Sequence, residues 1–67
     1  MNSYRCYFMD KGRIIGVEVL NTTRDDEAIE LCKRAHQLRG GNSDGYEVWQ
    51  GSRFVHRCGP DYAGGPQ

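Results

Sequence analysis

Three cysteines and two histidines carry most of the chemistry available to this chain. Cys6, Cys32 and Cys58, with His36 and His56, offer more than the four N or S ligands that zinc takes at roughly 2.0–2.3 Å. Their spacing argues against a metal. Cys32-x3-His36 makes one helical pair, His56-x-Cys58 one strand pair, and no Cys-x2-Cys occurs. Three inward cysteines would permit a buried site, yet spacing this loose points to small buried apolar side chains instead. His36 falls at the edge of an apolar stripe, and His56 falls opposite Glu47 in a ladder. A nucleophilic enzyme needs a thiol or hydroxyl, a base and an orienting group. No Gly-rich elbow or Cys-Gly-x-Cys surrounds the candidates, and so short a chain has little room for a deep pocket beside its core. Gly40-Gly41-Asn42-Ser43-Asp44-Gly45 lacks the Lys-Ser/Thr of a phosphate loop and leads into a strand. The reading is a non-catalytic protein with no metal and no cofactor.

Compartment and charge follow from the same residues. An odd cysteine count, widely spaced, reads as reduced thiols in a cytoplasmic protein. The N-terminus shows no basic region followed by an apolar stretch. No apolar run approaches the roughly 18 residues of a membrane span, since Gly16 and Glu18 break the run Ile14 to Leu20. Nine Lys and Arg balance nine Asp and Glu in 67 residues. Zero net charge disfavours nucleic-acid binding, which phosphate neutralisation drives. One small domain fits this length, and it buries only about 60% of its unfolded surface.

The elements that would position these residues are legible as periodicity. Residues 3–9 and 14–20 read as strands about a Lys11-Gly12 turn, with Asp10 opposite Arg13. That register groups Tyr4, Cys6 and Phe8 with Ile15, Val17 and Val19. A helix follows, with Thr23 as N-cap and Asp26 in a weak capping box. Asp25, Asp26 and Glu27 suit its positive end, and Lys33, Arg34, His36 and Arg39 its negative end. Ala28, Leu31, Cys32, Ala35 and Leu38, widened by Ile29, form its apolar stripe, and Gly40-Gly41 ends it. Residues 46–50 and 53–58 flank Gly51-Ser52 as a second hairpin, with Trp49 opposite Phe54, Val48 opposite Val55 and Tyr46 opposite Arg57. Trp49 and Phe54 are expected to face the helix, because they bury the larger apolar area. The expected fold class is α+β: two antiparallel hairpins in one sheet with one helix on one face (β-β-α-β-β). The domain spans 3–58, and the Gly/Pro-rich residues 59–67 form a mobile tail.

One helix covers one face of a sheet. The uncovered face is expected to carry Arg5, Tyr7, Tyr46, Val48, Arg53, Val55 and Arg57, together with Met9, Ile14 and Leu20. An apolar patch with a cationic fringe marks an interface. The expected partner is a second copy, as a homodimer, or another protein. The alternative is weak single-stranded nucleic-acid binding, with Tyr7 and Tyr46 stacking bases and Arg5, Arg53 and Arg57 on phosphates. No membrane partner is expected.

Tyr4-Arg5-Cys6-Tyr7-Phe8 with Asp10, Val17-Glu18, Asp25-Asp26-Glu27-Ala28-Ile29, Glu47-Val48-Trp49-Gln50-Gly51 and Val55-His56-Arg57 resemble a group of very short hypothetical proteins from Rhizobiales and related alphaproteobacteria. The resemblance spans about residues 4–57. It implies a bacterial, cytoplasmic origin and nothing catalytic, because the group has no assigned activity. Cys32 and Cys58 lie outside the shared pattern.

Overall fold

The computed structural model describes residues 2–39 and 43–59. Strands β1 (Asn2–Asp10) and β2 (Arg13–Thr22) precede helix α1 (Asp25–Leu38), and β3 (Gly45–Gln50) and β4 (Arg53–Cys58) follow it. They form one antiparallel sheet in the order β2-β1-β3-β4, with the helix on one face. The α+β class and the order of elements are as the sequence implies. Residues 60–67 of the expected tail and the expected Gly40-Gly41 helix stop lie outside the described residues. Among the described residues, no helix is long and apolar enough to cross a membrane.

Both hairpins turn where the glycines predict. Lys11 and Gly12 both take positive φ, at 53° and 81°, the pattern of a type I′ turn, and Asp10 lies opposite Arg13. Beyond each turn the ladder slips. A bulge between Phe8 and Met9 lets Ile15 be skipped, so Phe8 pairs with Gly16, Tyr7 with Val17 and Arg5 with Val19. A second bulge between Val48 and Trp49 skips Val55, so Val48 pairs with His56 and Glu47 with Arg57. Side chains alternate faces with period two, so one extra residue moves everything beyond it to the other side.

The core therefore differs from the expected one. Tyr4, Cys6, Phe8, Leu20, Ala28, Cys32, Tyr46 and Val48 are buried together under the helix. Val17 and Val19, expected beneath the helix with Ile15, are instead half exposed on the bare face. Trp49 and Phe54 are also on the bare face, in edge-to-face contact with ring centroids 5.4 Å apart. Cys6 pairs with Val48 and Phe8 with Tyr46. The ladder thus carries the covered side of β1 across to β3, and Trp49 falls on the other side.

The helix contacts the sheet with small side chains. Ala28 and Cys32 are buried, and Ile29 and Ala35 pack against the core. Leu31 and Leu38, expected in the stripe, are exposed, Leu38 at 89%. The N-cap is Arg24 rather than Thr23, and the Arg24 carbonyl accepts from Ala28 N–H at 3.1 Å. Thr22, buried, uses its hydroxyl to donate to Glu27 Oε1. The Cys6 and Cys32 sulfurs are joined in a disulfide across a sequence separation of 26, which corrects the reading of three reduced thiols. Cys58 is free and exposed.

An ionic clasp holds the first turn of α1. Tyr4 Oη donates to Asp25 Oδ1 at 2.6 Å, and Arg53 Nη2 donates to the same oxygen at 2.8 Å. Arg53 is thus on the helix side of β4, not on the bare face. The Arg53 guanidinium, helped by the Tyr4 hydroxyl, holds the Asp25 carboxyl below its ordinary 3.8. A depressed folded-state value means stability that is present above the unfolded value and lost as pH falls through the folded one. Asp25→Asn should lower the thermal midpoint at pH 6, and the deficit should shrink as acid protonates the Asp25 carboxyl, at a pH below its ordinary range. A deficit that does not change on acidification would show that the clasp contributes nothing ionic.

Candidate interaction surface

The bare face is built from the outward-pointing residues of all four strands. Ladder pairing lays them out in two rows. One reads Val19–Arg5–Trp49–Phe54, and the next reads Val17–Tyr7–Glu47–Arg57. Met9 pairs with Ile14 beside the second row. Of the expected site residues, Arg5, Tyr7 and Arg57 are here. Tyr46 and Val48 are not, since both are buried under the helix. Leu20 is likewise buried on the covered side, and Val55, in the bulge, packs against the core. Val17, Val19, Trp49 and Phe54 replace them. Gly16 was the available signal: a glycine inside a strand pattern often marks a bulge.

Glu47 organises the charge of this surface. Its Oε1 accepts from Trp49 Nε1 at 3.0 Å, and its Oε2 accepts from Arg57 Nε at 3.1 Å. Its side chain is 14% exposed, while Arg57 is 47% exposed. Oε1 keeps a second lone pair, while Oε2 also lies 3.1 Å from Arg57 Nη2. Among the described residues, Arg5 has no carboxylate in ion-pair contact. His56, expected against Glu47, lies instead opposite Val48 on the covered side.

The covered side holds the remaining chemistry-bearing residues. The Arg39 guanidinium lies 4.4 Å from the centre of the Phe8 ring, and Phe8 stacks on His36, which in turn meets Tyr46 at 5.2 Å. His36 Nε2 is 3.1 Å from the Ser43 carbonyl oxygen. Burial, reinforced by a hydrogen bond with Cys58, pushes the Tyr46 hydroxyl up to about 12. Tyr46 therefore stays neutral across physiological pH. Cys6 and Cys32 bond each other, and Cys58 ends β4 near the surface, so the three thiols do not converge on one centre. Among the described residues, no three His, Cys, Asp or Glu side chains gather as a metal site.

Compared with known proteins, the chain matches no family, no curated protein and no solved structure.

Proposed function

We propose that this chain is a small, non-catalytic protein-interaction module that self-associates through the bare face of its sheet. The observation that carries this reading is the set of apolar side chains on that face: Val17, Val19, Tyr7, Trp49 and Phe54, with Ile14 at the margin. Contiguous exposed apolar surface of this kind favours a protein partner. The folded body measures 35 × 25 × 16 Å, so its broad side is on the scale of the roughly 800 Å² per partner that a stable interface uses. A second copy offers a matching surface of the same size without any further component.

A second reading has one specific observation in its favour. Tyr7, Trp49 and Phe54 share the face with Arg5 and Arg57, which resembles a stacking platform for single-stranded nucleic acid. Two facts weigh against it: Glu47 already engages Arg57, and the net charge is zero.

Sedimentation equilibrium at micromolar protein, followed by oligonucleotide titration at two salt concentrations, separates the two. The expected result is a dimer indifferent to oligonucleotide. A monomer that binds oligonucleotide with an affinity falling steeply with salt would replace the first reading with the second.

A further inference from the structure

Arg5, Trp49, Glu47 and Tyr7 are the corners of a rectangle at the centre of the bare face. Arg5 and Trp49 are paired across β1 and β3, and so are Tyr7 and Glu47 two residues along. Strand spacing sets one side at about 4.8 Å, and two residues of rise set the other at about 6.8 Å. One diagonal is ionic, with Arg5 at one end and Glu47 at the other. The other diagonal is aromatic, Tyr7 to Trp49, with Val17 beside Tyr7 and Phe54 beside Trp49 in their rows.

We infer that a second copy docks face to face on this surface about a two-fold axis running along the aromatic diagonal. The inference rests on the self-association proposed above and assigns its geometry. Rotation about that axis lays Tyr7 and Trp49 of one copy on the same two rings of the other, with Val17 and Phe54 flanking the axis on opposite sides. It also exchanges the corners of the ionic diagonal. Arg5 of each copy then comes over Glu47 of the other, and one operation makes two equivalent ion pairs. Face-to-face contact along any other line would press Arg5 into apolar surface with no carboxylate beneath it, and a buried unpaired charge opposes association. Glu47 can accept the extra donor on Oε1, where Trp49 is the one donor, while Oε2 is taken by Arg57 Nε and Nη2. The axis runs at roughly 35° to the strands, so the strands of the two copies cross at about 70°. That lies nearer the orthogonal class of packed sheets than the aligned one.

Charge exchange between copies tests this geometry. Arg5→Glu and Glu47→Arg are made separately, and each is checked for folding by circular dichroism. Each variant alone brings like charges together across the axis, so each should dimerise at least about tenfold more weakly than the unaltered chain. Mixed one to one, they satisfy both pairs at once, and native mass spectrometry should show the heterodimer at near the original affinity. An effect confined within one chain would not be repaired by mixing. Single variants that dimerise normally, or a mixture no tighter than its components, would overturn the assigned axis while leaving self-association intact. An unaltered chain that stays monomeric would instead defeat the reading beneath it. If Glu47→Arg does not fold, cross-linking gives the answer. Tyr7→Cys in a Cys58→Ser background lies beside the axis and should be captured as a covalent dimer by a short bis-maleimide. Lys33→Cys, exposed on the helix, should remain monomeric; the reverse pattern would refute the arrangement.

Discussion

Reducing the Cys6–Cys32 bond should lower the unfolding free energy by about 3 kcal/mol, more than any surface contact in this domain contributes. The bond joins the middle of β1 to the middle of α1 across a separation of 26 residues. Closing a loop of that length removes chain entropy from the unfolded state worth about 3.5 kcal/mol on the chain-entropy account. The helix has few other buried attachments, since only Ala28 and Cys32 are fully covered. A domain this small has a total stability near the low end of about 5–15 kcal/mol, so the bond is a large share of it. Urea unfolding with and without a phosphine reductant, in a Cys58→Ser background, measures the effect directly. With a slope of about 1 kcal/mol per molar urea, the midpoint should fall by about 3 M. A shift under about 0.5 M would mean that the sheet and helix hold together without the link. The result also bears on compartment. The cytoplasm expected from the sequence keeps thiols reduced. There the chain would depend on its apolar packing, and on association with a second copy, to stay folded.

What the sequence made visible and what it hid separate along physical lines. The turns were legible because Gly12 and Gly51 supply conformations that other residues take at a cost, and both adopt positive φ. The helix was legible from its charge asymmetry and apolar period, and its position between the hairpins followed. The faces were not legible, because each hairpin carries a bulge. Skipping Ile15 brought Val17 and Val19 onto the face of Tyr7, and skipping Val55 brought Arg57 onto the face of Glu47. A pattern rule that assumes strict alternation cannot register such a slip. The preference for burying the largest rings also failed for a local reason. Ala28, Cys32 and Ala35 bring the helix close to the sheet, and Tyr46 and Val48 fill that space. Trp49 instead finds an acceptor for its indole N–H in Glu47, on the bare side. The cysteine pairing lay beyond local pattern altogether, because only the docking of α1 on β1 brings Cys6 and Cys32 together.

Phe8→Ala should abolish folding, whereas Trp49→Ala should leave the domain folded and remove the proposed dimerisation. Phe8 is 2% exposed at the centre of the covered face, flanked by Gly16 and Tyr46 in the ladder and capped by Arg39 and His36. Removing a buried phenyl ring costs about 3–5 kcal/mol through lost transfer energy and the cavity left behind. The cation–π contact with Arg39 adds a smaller loss of about 0.5–2 kcal/mol. Together these approach the whole stability of a domain of this size. Trp49 is half-buried and packs edge-on against Phe54, so its removal leaves no enclosed cavity and should cost under about 2 kcal/mol in the monomer. Urea unfolding followed by far-ultraviolet circular dichroism ranks the two variants, and sedimentation reports association. The indole adds an internal reporter. Its emission should move toward the blue as protein concentration rises, because the proposed association would withdraw the bare face from water, and Arg5→Glu should suppress that movement. A folded Phe8→Ala together with an unfolded Trp49→Ala would place the helix on the opposite side of the sheet. The surface assigned to the second copy would then be the core.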